Sequence, residues 1–240
     1  DVISDNAFYL QVLNDPTRHW KPDELIEFVY GDDPLFSPAG DSVDYSNTNL
    51  LLAAMIIEKA SGRPHQELLH ERILGPLGLE HTFYQPHDPL PNTTAQGYFD
   101  LYNNETLVNM SHFNTGSGNG YGGMYSTVFD MQTFIEALLR SRTLLNAETL
   151  NEMLTVTGFD YHEEEYYGVT IRKEYFGPED QYYSYGHRGR DLAYSADLMY
   201  FPEQDITVAW VVNYGTDAKS KLKDVFLDFR DEAVASILKF

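Results

Sequence analysis

The strongest constraint on this chain is a change of period near residue 156. Beyond it, four runs rich in Tyr, Val, Ile and Thr follow one another: Tyr166–Tyr175, Tyr182–His187, Ala193–Phe201 and Ile206–Asn213. Their length and composition are those of strands. Pro202-Glu203-Gln204-Asp205 fits a hairpin turn between the last two. Lys219 to Lys239 reads as a closing helix, with Leu222, Val225, Phe226, Phe229, Ala233 and Ile237 on one face.

Before residue 156 the period is helical. Pro22 to Val29 predicts a short helix with acids in its first turn, stopped by Gly31. Phe36-Ser37-Pro38-Ala39-Gly40 is a turn. Ser46 to Ala60 is the strongest helix, with Leu51, Leu52, Met55, Ile56 and Lys59 in step, Ser46 as cap and Gly62 as stop. Pro64 to Leu74 is a further helix, ended by Gly75-Pro76. Residues 85–120 form a polar excursion with short strands such as Thr106-Leu107-Val108. Ser126 or Thr127 then caps a helix through Leu139, with Asp130 completing the capping pattern, and Ala147 to Leu154 is another.

Strands grouped after helices predict an α+β fold: an antiparallel sheet flanked by helices, plus a helical subdomain. The expected division is a mainly helical part over 1–155 and a sheet with its closing helix over 156–240, together one catalytic-type domain.

Composition narrows the function. With 42% apolar residues in 240, the chain can bury a real core, and 14% aromatics exclude a disordered one. No run of apolar residues is long enough for a transmembrane helix. Asp1-Val2-Ile3-Ser4-Asp5 has no signal-peptide pattern, which reads as a mature or excised start. The absence of cysteine excludes disulfides and thiolate metal sites. A formal charge of −21 argues against nucleic-acid or anionic-membrane partners. The histidines lack metal-ligand spacing, so no metal or other cofactor is expected.

A series of ordered motifs carries the chemistry. Tyr45-Ser46-Asn47 opens the strongest helix. Ile73-Leu74-Gly75-Pro76-Leu77-Gly78-Leu79-Glu80-His81-Thr82 follows, then Gly122-Gly123-Met124-Tyr125-Ser126-Thr127 with Asp130, then Tyr185-Gly186-His187-Arg188-Gly189 on a strand. Alone, Tyr45-Ser46-Asn47 is three common residues that a helix cap explains. Together and in this order, the motifs resemble the serine β-lactamase and penicillin-binding-protein family, in its class C β-lactamase, D-alanyl-D-alanine carboxypeptidase and esterase branch. The resemblance runs from about residue 20 to the end of the chain.

That resemblance implies a β-lactamase/transpeptidase-like fold, incomplete at its N-terminus, and a set of roles. Tyr45 would exchange a proton with a serine nucleophile; a phenol titrates near ~10, so it needs a neighbouring cation to act as a base. Asn47 would bind the substrate amide and hold the family's lysine. His187 stands where other members place the lysine of Lys-Thr-Gly. Gly189 lets substrate backbone come close, and the N–H of Arg190 would supply half of an oxyanion hole. Arg188 or Arg190 would meet a substrate carboxylate. The reading requires Tyr45 and His187 to act on one substrate.

The family's Ser-x-x-Lys motif is not found upstream of Tyr45. A literal match, Ser220-Lys221-Leu222-Lys223, lies after the His187 strand and reads as a solvated helix start. Gly118-x-Gly120-x-x-Gly123 follows no strand, so it is not a dinucleotide fingerprint. The expected protein is therefore a serine hydrolase of small-molecule or peptide substrates, acting through an acyl-enzyme. Its nucleophile lies on a missing N-terminal segment or a second chain, so this chain is inactive alone. Without that segment, a bare sheet edge and an apolar groove are expected. The alternative is a non-catalytic β-lactamase-like binding or regulatory protein. By resemblance alone the location is periplasmic or secreted.

Overall fold

A computed structural model describes residues 1–33, 36, 42–160, 165–216 and 221–240. The turn expected at Ser37-Pro38-Ala39-Gly40 lies outside these residues. In chain order the elements are α1 (Asn6–Asn14), α2 (Pro22–Ile26), α3 (Asn47–Ser61), α4 (His65–Leu69), α5 (Gly75–Leu77), β1 (Phe83–Tyr84), β2 (Tyr98–Phe99), β3 (Val108–Asn109), β4 (Met124–Tyr125), α6 (Val128–Ile135), α7 (Ala147–Leu154), β5 (Gly158–Asp160), β6 (Glu165–Tyr167), β7 (Arg172–Phe176), β8 (Tyr182–Arg190), β9 (Ser195–Phe201), β10 (Ile206–Val212) and α8 (Lys221–Leu238). They form two compact units, residues 1–94 with 112–134, and residues 95–111 with 135–240.

The first unit is built on α1, α2 and α3. Val2, Phe8, Val12, Trp20, Leu25 and Leu51 form its core. Phe8 meets Trp20 and Phe28 at ring separations of 5.0 and 5.5 Å, within the range of favourable aromatic pairs. Helix α3 ends at Gly62 in the left-handed conformation (φ 68°), as the sequence predicts. Its start differs: the Ser46 side chain makes no capping bond. Instead the Asp1 carboxylate accepts from Thr48 N and Thr48 Oγ1, both at 3.2 Å. An acid at a helix N-terminus satisfies an orphan N–H and meets the positive end of the helix dipole.

Gly75-Pro76 does not end its helix. Between α4 and α5 the chain widens into a π turn over His70–Leu74, in which Gly75 N donates to His70 O, five residues back. The wider turn takes up the missing N–H of Pro76 before the helix stops at Gly78 (φ 63°). A Cβ on Gly75 would come to 3.0 Å from the same His70 carbonyl, which favours glycine there.

The second unit is a six-stranded antiparallel meander, in the order β10-β9-β8-β7-β6-β5. The run expected as one strand over Tyr166–Tyr175 is two strands. It breaks at Gly168, where a Cβ would sit 2.3 Å from the Met153 carbonyl, and turns through Thr170 at φ 59°. Residues Phe159 and Tyr166 are cross-strand partners, so β5 is an additional strand that the sequence pattern did not reveal. Strand β10 forms one edge of the sheet.

Helix α8 covers one face, but not with the expected stripe. Val225, Phe229 and Ile237 are 60%, 59% and 41% exposed, whereas Val234 and Leu238 are buried against Phe176, Met199, Phe201 and Val208. The helix is turned so that Arg230 points inward. Arg230 pairs with Asp197 and Glu174. Arg172 reaches Glu165 at 3.2 Å, Glu174 at 2.6 Å and Asp197 at 3.2 Å. Arg188 pairs with Glu165, and with Glu174 at 3.1 Å. A buried charge is tolerated only when paired, so each guanidinium here fixes the position of its carboxylates.

Candidate functional site

Tyr45 and Asn47 open α3 in the first unit. The Tyr45 hydroxyl donates to Asn47 Oδ1 at 3.3 Å, and Asn47 Nδ2 donates to Asp1 Oδ2 at 3.1 Å. Asn47 is buried, and Tyr45 is half-buried. The amide therefore orients the phenol from below, as an Asn two residues on at the first helical position is placed to do.

Two of the motifs prove to be one structural knot. Asp130, at the third position of α6, accepts from His81 N at 2.9 Å and Thr82 Oγ1 at 2.8 Å. Thr82 Oγ1 also bonds Ser126 Oγ at 2.8 Å, and β1 pairs with β4 alongside. Thr127 Oγ1 caps α6 by accepting from Asp130 N at 3.2 Å. Half of the expected capping pattern is thus present, while the Asp130 carboxylate goes to the neighbouring turn. The glycines at 118, 120 and 123 have φ values of 86°, 96° and 101°, and a Cβ on any of them would approach a neighbour within 3.0 Å. The loop's own geometry accounts for them.

The sequence did not single out a second tyrosine of the first unit. His65 Nδ1 lies 2.7 Å from Glu58 Oε1, and His65 Nε2 lies 2.9 Å from the Tyr84 hydroxyl, which also accepts from Gly120 N at 2.8 Å. Burial pushes the Tyr84 phenol up to about 12. Its oxygen is fully used inside the protein, so Tyr84 ties α3 and α4 to the glycine loop and has no proton to offer a substrate.

His187, Arg188, Gly189 and Arg190 lie on β8 in the second unit. Strand β7 pairs with β8 only as far as Gly186, opposite Arg172. Residues 187–190 therefore overhang β7, bonded through β9 on the other side. Alternation along the strand puts Tyr183, Tyr185, His187 and Gly189 on one face and Gly186 and Arg188 on the α8 face. His187 Nδ1 donates to the Arg188 carbonyl at 2.7 Å, since a carbonyl can only accept. The neutral ring then carries its lone pair on Nε2. Burial, followed by the Arg172 and Arg188 guanidiniums, lowers the His187 pKa despite the opposing Arg188 carbonyl and Asp197. The lowered pKa favours the neutral imidazole over the cation.

The two glycines flanking His187 differ. A Cβ on Gly186 would fall 1.8 Å from the Leu198 carbonyl, so the sheet itself requires glycine. A Cβ on Gly189 would rest 3.6 Å from the Ala196 Cβ, an ordinary contact. Nothing in the packing of the described residues explains Gly189. Arg188, expected to reach a substrate carboxylate, is instead committed to Glu165 and Glu174 on the α8 face.

Ser220 lies outside the described residues. A second literal match to Ser-x-x-Lys, Ser236-Ile237-Leu238-Lys239, runs from the last turn of α8 to the residue after it, and Ser236 and Lys239 are exposed. An exposed serine at the end of a helix has no buried lysine to activate it. Among the described residues, no group of three or more His, Cys, Asp or Glu is placed to hold a metal, and no helix is long and apolar enough to cross a membrane.

The Beta-lactamase family profile matches residues 3–230. The chain belongs to the Beta-lactamase family. A D-stereospecific amidohydrolase from Streptomyces sp. is 30% identical with a TM-score of 0.80, over 95% of this chain and 68% of that one. A D-amino acid amidase from Ochrobactrum anthropi SV3 in complex with L-phenylalanine amide has the same fold, with a TM-score of 0.80 at 23% identity over 92% and 65% of the two chains. Among curated relatives, the teichoic acid D-alanine hydrolase of Staphylococcus aureus is 29% identical over 122 residues, 51% of this chain and 30% of that protein. Beta-lactamase-like protein 2 of Dictyostelium discoideum is 27% identical over 142 residues, 59% of this chain and 26% of that protein. The chain spans under a third of the length of these curated relatives. As a Beta-lactamase family member it has the mixed helix and antiparallel-sheet architecture of the β-lactamase/transpeptidase-like fold.

Proposed function

We propose that this chain carries the proton-transfer and substrate-binding half of a serine hydrolase acting on D-amino-acid amides or esters through an acyl-enzyme. Its nucleophile lies on a segment outside these 240 residues. Tyr45, oriented by Asn47, exchanges a proton with the nucleophile. Neutral His187 accepts or shares a proton through Nε2. The N–H of Arg190 stabilises the oxyanion, and Gly189 admits the substrate chain beside β8. The observation that carries the reading is His187: a neutral imidazole of fixed tautomer, on a strand overhang whose glycine has no structural reason to be one. The D-amino-acid preference rests on the relatives that act on such substrates.

Labelling with a fluorophosphonate or a fluorescent penicillin tests it. The chain alone gives no covalent adduct. A longer protein containing this chain labels, and Tyr45→Phe or His187→Gln slows the labelling. An adduct on Ser220, Ser236 or another serine of this chain would refute an external nucleophile. A longer protein that binds D-alaninamide without hydrolysing it would favour a non-catalytic binding protein.

A further inference from the structure

The two faces of the sheet treat charge differently. On the α8 face, Arg172 and Arg188 each meet two or more carboxylates. On the opposite face a single lysine sits in a row of rings. Phe159, Tyr166, Lys173, Tyr185 and Tyr200 are direct cross-strand neighbours from β5 to β9, and Tyr175 stands opposite Tyr183. Ring centroids are 4.9 Å apart for Phe159–Tyr166, 5.6 Å for Tyr166–Tyr175 and 5.7 Å for Tyr183–Tyr185. Lys173 Nζ lies 4.4 Å from the Tyr183 centroid and 4.9 Å from that of Tyr175.

No carboxylate among the described residues pairs with Lys173, although the chain has 37 acidic residues against 16 basic ones. Burial works against its charge, but a hydrogen bond with Tyr175 and the nearby phenols outweigh it, and the pKa lies above the ordinary lysine value. Tyr166 and Tyr175 are 41% and 37% exposed. Glu203 lies near enough to raise the Tyr183 pKa but forms no ion pair with Lys173, and an ammonium held among ring faces without a paired carboxylate is complementary to an anionic group flanked by flat apolar surface.

The row also leads to the site. Tyr183, Tyr185 and His187 occupy alternate positions of β8 on this face, and the four residue steps from Tyr183 to His187 span about 13 Å. We propose that the aromatic row with Lys173 is a substrate subsite, which takes the ring-bearing, carboxylate-bearing end of an extended substrate whose reacting end lies at His187. It rests on the hydrolase reading only for the role of His187. It implies a substrate of three or so residues rather than a single amino-acid amide.

Calorimetric titration of the 240-residue chain with acetyl-Gly-Gly-D-Phe and with its C-terminal amide tests the subsite without any turnover. The carboxylate form is expected to bind at least tenfold more tightly than the amide. Lys173→Gln abolishes that preference, Lys173→Arg restores it, Tyr175→Leu weakens both ligands and Tyr175→Phe keeps both. Equal affinity for the two ligands, or a preference that survives Lys173→Gln, overturns the proposal. Inorganic phosphate binding as tightly as the peptide also overturns it, because that describes a point-charge site with no use for the rings. Failure here leaves the labelling result untouched, so the two readings fail separately.

Discussion

Replacing Arg230 with methionine removes one cation from a buried set that is otherwise balanced: Arg172, Arg188 and Arg230 against Glu165, Glu174 and Asp197. Arg230 and Asp197 are 2% and 1% exposed, so water cannot replace the lost guanidinium. Methionine keeps the helix propensity and much of the length, so the loss is electrostatic. Removing one member of a buried pair costs about 3–5 kcal/mol. With a urea m-value of about 2–3 kcal/mol/M for a domain this size, the midpoint falls by about 1–2.5 M. Adding Asp197→Leu to Arg230→Met restores neutrality among the remaining four side chains and recovers half or more of the loss. Urea unfolding followed by tryptophan fluorescence reads both variants. A loss under about 1 kcal/mol for Arg230→Met, or a double variant no better than the single one, would refute the claim that this sheet is held by paired buried charge.

Glu174, buried among arginines, has a pKa held below the usual carboxylate value, because the cations outweigh the desolvation that would raise it. Its contribution to stability is therefore present above the unfolded pKa and is lost as pH falls through the folded one; acid unfolding monitored by circular dichroism should be shallower in Glu174→Gln. His187 has a lowered pKa, so its contribution is likewise lost on the acid side, below the ordinary value of 6.5. Its NMR titration midpoint, assigned with His187→Gln, should lie below that value. Tyr84 is raised to about 12, so its contribution is fully present below pH 10 and disappears as pH climbs from there through about 12; Tyr84→Phe should lose that alkaline step in an absorbance titration. Gly189→Ala should leave the unfolding midpoint unchanged within about 0.5 kcal/mol, whereas Gly186→Ala, with its Cβ 1.8 Å from the Leu198 carbonyl, should be severely destabilised or insoluble.

The elements that were legible in the sequence are those whose cause is local. Helix α3 declared itself by its apolar period and by Gly62, and the β9–β10 hairpin by its turn residues. Tyr45 and Asn47 are two residues apart, so a spacing was enough to pair them. What was misread depended on contacts that no spacing encodes. The run from Tyr166 to Tyr175 was broken by the Met153 carbonyl against Gly168, from a different element. The α8 stripe of Val225, Phe229 and Ile237 looked like a core face because hydrophobicity was the only criterion available. The resemblance gave a substrate carboxylate to Arg188 or Arg190, and Arg188 is paired with Glu165 and Glu174 instead. Both errors have one origin. The charged residues at 165, 172, 174, 188, 197 and 230 look in sequence like a solvated surface, and only the register of β6 to β9 brings their charges into balance in the interior. Lys173 is the converse case. It lies beside Arg172, and alternation sends it to the other face, where no carboxylate of the described residues forms an ion pair with it. The sheet thus pairs Arg172, Arg188 and Arg230 with carboxylates on one face, while among the described residues Lys173 on the other face meets only phenol rings, the difference on which the proposed subsite rests.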